Sequence, residues 1–479
     1  MNSSLILLVL FGYFAVLMLV SYVTGRKATD NESFFTARHS SPWWVVAIGM
    51  VGASISGVSF VSVPGMVGNI QFSYLQTVFG FFVGYLIIAR VLLPLYYRLQ
   101  LTSIYTYLGQ RFGARSYTTG ASFFLLSKTL GAAARLYVVA LILQTMVFDA
   151  WKVPFWITIS VILLMIWLYT FRSGIKSIVW TDTLQTIVML TALVFMVDKM
   201  LELNGLSVNA FMSQIQGDAK SQIFVFDNWI SKQHFVKQFF SGIFIAVVMT
   251  GLDQDMMQKN LTCRNLKDAQ KNMYWYGIAF IPFNLLFLIL GWLMLTYAQT
   301  HGISLPVAGD QLLPFFAQNF FGTAVMLMFV TGIIAAAFSS ADSALAALTT
   351  SFMVDILKIN PSDERKTTRI RVHAALSVLF VIIVLIIQQM NDRSIIDTIY
   401  VLVSYTYGPL LGMFAFGLFT RLQPSDRRVP AIAVASPVLC FAINELSIRY
   451  AGYAFGYELL LMNGLLMFTG LYISSKKWK

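Results

Sequence analysis

The chain has 479 residues, of which 58% are hydrophobic and 11% are charged, and its formal net charge is +12. A soluble globular chain carries about 25% charged residues, so this composition excludes an ordinary soluble domain. Long uncharged apolar runs recur along the whole length. Only helices and closed barrels span a bilayer, and these runs are too long and too uniformly apolar for barrel strands. The fold class is therefore predicted to be an all-α integral membrane protein.

Taken in chain order, the apolar runs predict thirteen transmembrane helices, because a span needs about 20 mostly apolar residues. We place them at residues 5–24, 43–68, 72–96, 116–148, 153–171, 175–200, 236–258, 273–299, 318–355, 370–390, 395–420, 429–449 and 455–474. The first run has neither a basic leader nor a small-residue cleavage site, so it is predicted to be a retained helix. The longest polar stretch, 201–235, is predicted to be a single loop.

The distribution of basic residues predicts the orientation. With the N-terminus outside, most of the 33 Lys and Arg residues fall in cytoplasmic loops, with clusters at 259–271 and 358–371. Cytoplasmic loops of membrane proteins are enriched in Lys and Arg. We therefore predict a multi-pass protein of the cytoplasmic (inner) membrane whose C-terminus lies in the cytoplasm. We expect the lipid bilayer as a partner and no nucleic acid, because the basic cytoplasmic loops already explain the positive net charge.

Nothing in the sequence indicates an enzyme. The two cysteines, Cys263 and Cys440, are too few for a disulfide framework, and the sequence contains no zinc-type cluster, Walker loop or glycine-rich dinucleotide fingerprint. The four histidines lie outside the inner halves of the predicted spans, at His39, His234, His301 and His373. No nucleophile and base are paired by any motif, so we predict that the chain is not an enzyme.

The second predicted span is unusually rich in small and polar residues. It contains glycines, hydroxyls and a Pro-Gly pair, namely Gly49, Gly52, Gly57, Ser54, Ser56, Ser59, Pro64 and Gly65. Small residues in membrane helices commonly allow close helix packing. The same composition also suits a helix that unwinds in mid-membrane, where free carbonyl groups must face a cavity or an ion. Both interpretations are open from the sequence.

Two other spans carry carboxylates. In the ninth, Ser339, Asp342 and Ser343 are spaced i, i+3 and i+4, which predicts one shared helix face. Their oxygens are hard ligands that suit a hard cation such as sodium. A serine pair alone is typical of packing, but carboxylates inside a membrane are costly and are usually functional. In the sixth span, Asp182 is either a satisfied helix-end carboxylate or a second cation ligand.

Two basic residues lie inside the fourth span. Lys128 and Arg135 are seven residues apart, which places them on one helical face, and Arg135 is near the middle of the span. An arginine in mid-membrane costs about 2.5–3.5 kcal/mol even on insertion scales, so it needs a partner. That partner is either an aspartate, in a structural ion pair, or a carboxylate of the substrate, which a planar guanidinium can bind bidentately.

Several short motifs accompany these features. They are Glu-Ser-Phe-Phe-Thr-Ala-Arg with Pro-Trp-Trp at 32–44, Leu-Thr-Ser-Ile-Tyr-Thr-Tyr-Leu-Gly-Gln-Arg-Phe-Gly at 101–113, Trp-Thr-Asp-Thr-Leu-Gln-Thr at 180–186, Asp-Gln-Asp-Met-Met-Gln-Lys-Asn-Leu at 253–261, Ser-Ser-Ala-Asp-Ser at 339–343 and Val-Asp-Ile-Leu-Lys at 354–358. In this order and spacing, the chain resembles the sodium:solute symporter family over residues 30–420. That family contains the sodium-coupled transporters of glucose, proline, iodide and sialic acid.

The resemblance implies a LeuT-like core of two inverted five-helix repeats, each opening with a broken helix. It divides the chain into a peripheral N-terminal helix (1–30), the first repeat (31–200), an extracytoplasmic loop (201–235), the second repeat (236–420) and two peripheral C-terminal helices (421–479). It also implies a sodium-coupled symporter that works by alternating access, with Na⁺ and a small solute as its ligands and a single chain as the functional unit.

The resemblance further implies the ligands of the sodium ions. The first site uses the carbonyls of Gly52, Ile55 and Ala336 and the hydroxyls of Ser339 and Ser340. Some members have a second sodium site, which corresponds here to Asp182, Ser339, Asp342 and Ser343. Members with that second site resemble this chain except that a serine stands where this chain has Asp342. The extra carboxylate either holds sodium or carries a proton, so the stoichiometry stays open.

For the solute, the resemblance to sugar transporters fails at the ligands, because their Asn, Glu and Gln correspond here to Ser54, Val58 and Ser59. The sialic acid members are more similar. Their pattern implies a substrate site built from hydroxyls, an arginine and residues of the next span, which here are Ser54, Ser56, Ser59, Tyr74, Gln76 and Arg135. We therefore expect an anionic sugar acid such as sialic acid as the solute. A neutral sugar or a small carboxylate is the alternative, and an ion channel is a more distant one.

Overall fold

A computed structural model of the chain describes residues 3–26, 31–171, 174–360, 363, 365–390 and 395–476. Residues 1, 2 and 27–30 of the predicted N-terminal segment, and the last three residues of the C-terminal one, lie outside this range. Ten helices occupy the first half of the chain: α1 Ser3–Gly25, α2 Asn31–Thr36, α3 Trp43–Ser54, α4 Gly57–Ile70, α5 Tyr74–Ile87, α6 Leu93–Arg98, α7 Thr106–Arg111, α8 Ala114–Leu143, α9 Phe155–Thr170 and α10 Ile175–Leu203.

Ten more helices follow: α11 Val208–Gly217, α12 Phe235–Ala246, α13 Gln254–Leu261, α14 Leu266–Thr300, α15 Leu312–Asn319, α16 Gly322–Ser351, α17 Lys366–Met390, α18 Ile395–Phe419, α19 Val429–Ala451 and α20 Leu459–Ser474. Four spans contain a π-helical turn, at Ile88–Leu92, Gln144–Phe148, Val247–Gly251 and Phe352–Ile356. The strands β1 Gln423–Pro424 and β2 Ser475–Lys476 form a small antiparallel pair.

The helices confirm a multi-pass membrane protein. Within the described residues, nine helices are long and apolar enough to cross a bilayer, and two bent pairs of helices bring the number to as many as eleven. Two shorter apolar helices, α9 and α20, lie at the positions of the two remaining predicted spans. The apolar stretches of α8 and α16 are 78% and 72% buried inside the protein, whereas those of α1 and α19 are 22% and 17% buried. The first pair therefore forms the centre of the bundle, and the second pair faces lipid.

Two spans are broken, and both breaks occur where a set of five spans begins. Helices α3 and α4 meet at an angle of 60° across Ile55 and Ser56. The segment Phe235–Gly251 meets α13 at 64° across Leu252 and Asp253. The expected pair of broken helices is therefore present in the fold.

The second break is closed by groups from the first half of the chain. The Tyr96 hydroxyl donates to the carbonyl of Gly251 at 2.8 Å, and the Tyr105 hydroxyl donates to that of Leu252 at 2.9 Å. The carboxylate of Asp253 caps α13 by accepting the backbone N–H of Asp255 at 2.9 Å, as expected of aspartate at an N-cap. The backbone groups that the break releases are thus satisfied inside the protein.

Small residues bring the central helices together. Gly49 on α3 lies against Asp182 on α10, since a Cβ at position 49 would be 3.1 Å from the Cβ of Asp182. A Cβ at Gly52 would meet Thr186, and one at Gly332 on α16 would meet Ala192. Helices α3 and α16 therefore both pack closely on α10, as small residues allow in membrane bundles. This contact brings Asp182 next to the polar face of α16.

Candidate functional site

A polar cavity lies beside the first break. It has an empty volume of about 630 Å³, which includes space open to solvent. Its lining includes hydroxyl-bearing and charged side chains: Ser54, Ser59, Tyr74, Tyr85, Thr250, Tyr276, Lys128, Arg135, Asp253 and Asp255. Aromatic and aliphatic residues, among them Phe81, Ile245, Met249 and Phe280, complete the wall. Such a lining suits a polar solute that also presents an apolar face.

Four of the six predicted substrate residues line this cavity, namely Ser54, Ser59, Tyr74 and Arg135. The other two, Gln76 and Ser56, are not part of its lining. The Gln76 amide donates to the carbonyl of Gln233 at 2.9 Å and accepts the N–H of Val225 at 3.1 Å, so it anchors the loop before α12. Ser56 is only 3% exposed and directly precedes α4 in an extended conformation.

Arg135 is held against its own helix. Its Nε donates to the carbonyl oxygen of Gly131 at 3.1 Å, and its guanidinium lines the cavity. Among the described residues, no carboxylate lies within 4.0 Å of it, whereas the neighbouring Lys128 has two such partners. Of the two interpretations that the sequence left open, an ion pair with an aspartate therefore applies to Lys128 and not to Arg135.

Lys128 lies in a buried triad with two aspartates that begin the second half of the broken span. Its Nζ is 2.7 Å from Asp255 Oδ2 and 3.2 Å from Asp253 Oδ2. The Tyr407 hydroxyl on α18 donates to Asp253 Oδ2 at 2.6 Å. In the sequence, these aspartates stand out only as part of a family motif. Their ion pairs with Lys128 depend on how α8 and α13 pack, which the sequence does not show.

A chain of hydroxyls crosses the cavity wall next to the first break. Ser54 Oγ lies 2.6 Å from the hydroxyl of Tyr276 on α14, which donates to the Tyr85 hydroxyl on α5 at 3.0 Å. The two tyrosine rings pack with centroids 4.5 Å apart. The predicted residue Ser54 is thus connected to two aromatic residues that the sequence analysis did not single out. A rearrangement of the break at Ser54 would move these rings.

The elements of the first predicted sodium site lie side by side. Helix α3 ends at Ser54, and Ile55 leaves helical geometry with φ −81° and ψ 80°. Gly57, at the start of α4, faces Ile333 of α16, one turn before Ala336. Ser339 and Ser340 on the following turn are both buried. An interrupted helix and two hydroxyls supply only oxygen ligands, which is the donor chemistry that a hard cation prefers.

The second predicted cation cluster is only partly assembled as expected. The hydroxyls of Ser339 and Ser343 donate to Asp182 Oδ1 and Oδ2 at 2.7 and 3.2 Å. Asp342 instead turns towards α9, where the hydroxyl of Tyr169 donates to its Oδ2 at 2.7 Å. The ammonium of Lys259, absent from the predicted set, lies 2.8 Å from Asp182 Oδ2. Within the described residues there is no group of three or more His, Cys, Asp or Glu side chains able to hold a metal ion.

The chain is similar to known sodium-coupled transporters over almost its whole length. It is 25% identical over 460 residues to the sodium/sialic acid symporter NanT of Aliivibrio fischeri, covering 93% of this chain and 88% of that one. It is 23% identical over 455 residues to the sodium/sialic acid symporter SiaT of Proteus mirabilis, covering 89% of this chain and 87% of that one.

Two solved structures share the fold. A Na⁺-coupled sialic acid symporter in a substrate-bound outward-open state matches 99% of both chains, with a TM-score of 0.81 and 20% identity. Mhp1, a nucleobase-cation-symport-1 family transporter, matches 92% of both chains, with a TM-score of 0.56 and 16% identity. These similarities confirm the LeuT-like architecture.

The profile of the sodium:solute symporter family matches residues 34–423, well over half of the chain. This range agrees with the region of resemblance predicted from the motifs, and it includes both breaks, the cavity and the Asp182 cluster. Members of this family are transporters that couple a solute to sodium, and the two relatives named above are transporters rather than enzymes. The chain therefore belongs to the sodium:solute symporter family, as a multi-pass, sodium-coupled membrane transporter.

Proposed function

We propose that this chain imports a carboxylate-bearing sugar of the sialic acid type together with sodium, by alternating access. The observation that carries the proposal is the guanidinium of Arg135, which faces the cavity without a carboxylate within 4.0 Å among the described residues. A buried or half-buried guanidinium is stabilised by an anion, and its planar fork matches a carboxylate. Lys128 does not compete for that anion, since Asp253 and Asp255 already neutralise it.

The hydroxyl groups around Arg135 support a polyhydroxylated solute. Ser54, Ser59 and Tyr74 lie in the same cavity as Arg135. A solute with several hydroxyl groups forms hydrogen bonds with such side chains. A solute that lacks those groups leaves the side chains unpaired, so the cavity discriminates against it. The relatives from Aliivibrio fischeri and Proteus mirabilis, both named as sialic acid symporters, support the same solute for this chain.

Sodium and solute would meet at the first break. In this proposal, the carbonyls of Gly52, Ile55 and Ala336 and the hydroxyls of Ser339 and Ser340 hold one sodium ion. The break also carries Ser54 and Ser59 into the solute cavity. An ion that fixes the break therefore pre-organises the solute site, which is a coupling free energy between the two ligands. Since both sites lie within one chain, we propose the monomer as the unit of transport.

We also propose that the protein lies in the cytoplasmic membrane with its N-terminus outside and its C-terminus in the cytoplasm, because the distribution of basic residues among the loops favours that orientation.

The transport proposal is tested with purified protein in liposomes. Labelled sialic acid should accumulate only under an inward sodium gradient, and uptake should saturate. A small monocarboxylate and glucose serve as competitors. Sodium-driven uptake of labelled glucose, without uptake of labelled sialic acid, would replace the proposal with transport of a neutral sugar.

A further inference from the structure

The ammonium of Lys259 pairs with Asp182, one of the predicted ligands of a second sodium ion. Lys259 lies on α13, just after the second break, and its side chain is 1% exposed. Its Nζ is 2.8 Å from Asp182 Oδ2 on α10, whose side chain is fully buried. A positive charge at this distance satisfies a carboxylate that would otherwise be strongly disfavoured inside the membrane.

The remaining lone pairs of Asp182 are also engaged. Oδ1 accepts the hydroxyl of Ser339 at 2.7 Å, and Oδ2 accepts that of Ser343 at 3.2 Å. The amide of Gln185, oriented with its nitrogen towards the carboxylate, donates to Oδ1 at 3.2 Å. An inorganic cation could bind here only if the ammonium withdrew and both hydroxyls turned their protons away. The protein's own side chains therefore complete this cluster.

Lys259 is also part of a longer chain of charges. Its Nζ is 3.8 Å from Asp255 Oδ1, one turn earlier on the same helix. Asp255 in turn pairs with Lys128, which lines the solute cavity. Alternating charges thus connect the cavity wall to Ser339, one of the proposed ligands of the first sodium ion. A change at the cavity that moves Asp255 changes the position available to Lys259, and hence the contacts of Asp182.

We propose that Lys259 is a tethered cation that permanently holds the Asp182 position, so that Asp182 binds no second sodium ion, and that it positions Ser339 through Asp182. This inference rests on the proposed sodium coupling at the first break. It assigns the sodium dependence of transport to that break and removes Asp182 and Ser343 from the set of sodium ligands. It also gives the lysine in the Asp-Gln-Asp-Met-Met-Gln-Lys-Asn-Leu motif a role in the ion site.

The test counts ²²Na⁺ ions bound per protein at saturation in nanodiscs. Lys259→Arg and Asp182→Asn should each bind the same number as the wild type, because neither creates an uncompensated carboxylate. Lys259→Gln should bind one more sodium ion than the wild type, and adding Asp182→Asn to it should remove that extra ion. A wild-type sodium ion that is lost in Asp182→Asn would overturn the inference, as would an unchanged count in folded Lys259→Gln.

The outcomes separate this inference from the proposed transport function. If Lys259→Gln does not fold, the comparison of wild type with Asp182→Asn still decides the matter. If the wild type binds no sodium at all, the proposed sodium coupling fails, whereas a sodium ion gained by Lys259→Gln would still support the tethered cation. If the wild type loses an ion in Ser340→Ala but not in Asp182→Asn, both proposals are supported.

Discussion

The Nε of Arg135 donates to the carbonyl oxygen of Gly131, one turn earlier on α8, at 3.1 Å. This bond uses one of the five N–H donors of the guanidinium. It fixes the plane of the group in the wall of the cavity while leaving its other donors for a ligand. An arginine that is pre-oriented in this way loses less side-chain freedom when it binds a carboxylate.

The first prediction concerns Arg135. Arg135→Lys and Arg135→Ala should weaken sialic acid binding to a similar extent, because lysine keeps the charge but loses the bidentate fork. Hydrogen bonds to charged groups contribute about 1.5–3 kcal/mol, so the dissociation constant should rise about 10- to 100-fold in isothermal titration calorimetry. Binding of sodium without solute should be retained. A stable Arg135→Ala protein with an unchanged affinity would exclude an anionic solute at this position.

The second prediction concerns the first break. Ser340→Ala removes one of five proposed oxygen ligands, so the sodium concentration for half-maximal uptake should rise while expression stays near normal. Ser343→Ala is the matched control three residues further along the helix. Its hydroxyl donates to Asp182, so it should keep the wild-type sodium curve. If the two variants exchange these behaviours, the sodium ion lies on the Asp182 side of α16.

The third prediction concerns the triad of Lys128, Asp253 and Asp255. Lys128→Met removes the nearest cation of two buried carboxylates, and removing one partner of a buried ion pair costs about 3–5 kcal/mol. The apparent melting temperature should fall clearly in a thermal-shift assay. Tyr407→Phe removes only the hydrogen bond to Asp253, at a cost of about 1–3 kcal/mol, and should have a smaller effect. Equal melting temperatures for Lys128→Met and the wild type would contradict the triad.

The fourth prediction concerns the contact between α5 and α12. A methyl group added at Gly80 would overlap the backbone carbonyl oxygen of Phe239 and approach the Cα of Gly242. Overpacking of this kind costs about 1–3 kcal/mol, so Gly80→Ala should lower the melting temperature. Gly12→Ala on α1 is the control, since nothing lies within 4 Å of the added group. Unchanged stability of Gly80→Ala would mean that the two helices are further apart than described.

The fifth prediction concerns orientation. Ser213 on α11 and Lys267 on α14 are both exposed, and the proposed topology places them on opposite sides of the membrane. A membrane-impermeant maleimide should label Ser213→Cys in intact cells and Lys267→Cys only after permeabilisation. The native Cys263 and Cys440 are buried and should contribute little background. Labelling with the reverse pattern would invert the proposed orientation.

The sequence predicted the spans from local composition, and the same composition left an unwound helix at the first break open beside close packing, until the family resemblance implied the break. Apolar length determines a span, and the small and hydroxyl residues around Ser54 allow the helix to unwind. The predicted common face of Ser339, Asp342 and Ser343 was only partly right. A helix turns about 100° per residue, so Asp342 and Ser343 point in directions about 100° apart. Ser343 reaches Asp182 on α10, whereas Asp342 reaches Tyr169 on α9.

The ion pairs could not be predicted in the same way. Among the described residues, the buried charged side chains include five aspartates and three basic residues, namely Asp182, Asp253, Asp255, Asp342, Asp355, Lys128, Lys259 and Arg369. Nothing in the sequence says which of them meet. The pairing of Lys259 with Asp182 joins residues far apart in the chain. It depends on the position of α13 after the second break. That break was expected from the family resemblance alone, since only Thr250 and Gly251 directly precede Leu252, without the longer run of small and hydroxyl residues that marks the first break.

The two breaks have different surroundings although they occupy equivalent places in the two repeats. At the second, the hydroxyls of Tyr96 and Tyr105 donate to the carbonyls of Gly251 and Leu252, so these two backbone oxygens already have partners within the protein. The duplicated architecture is therefore chemically asymmetric. The second break is joined to the first repeat by hydrogen bonds from Tyr96 and Tyr105. Exchanging the two broken segments in a chimera would place the segment whose carbonyls bind Tyr96 and Tyr105 at the position where we propose that sodium binds.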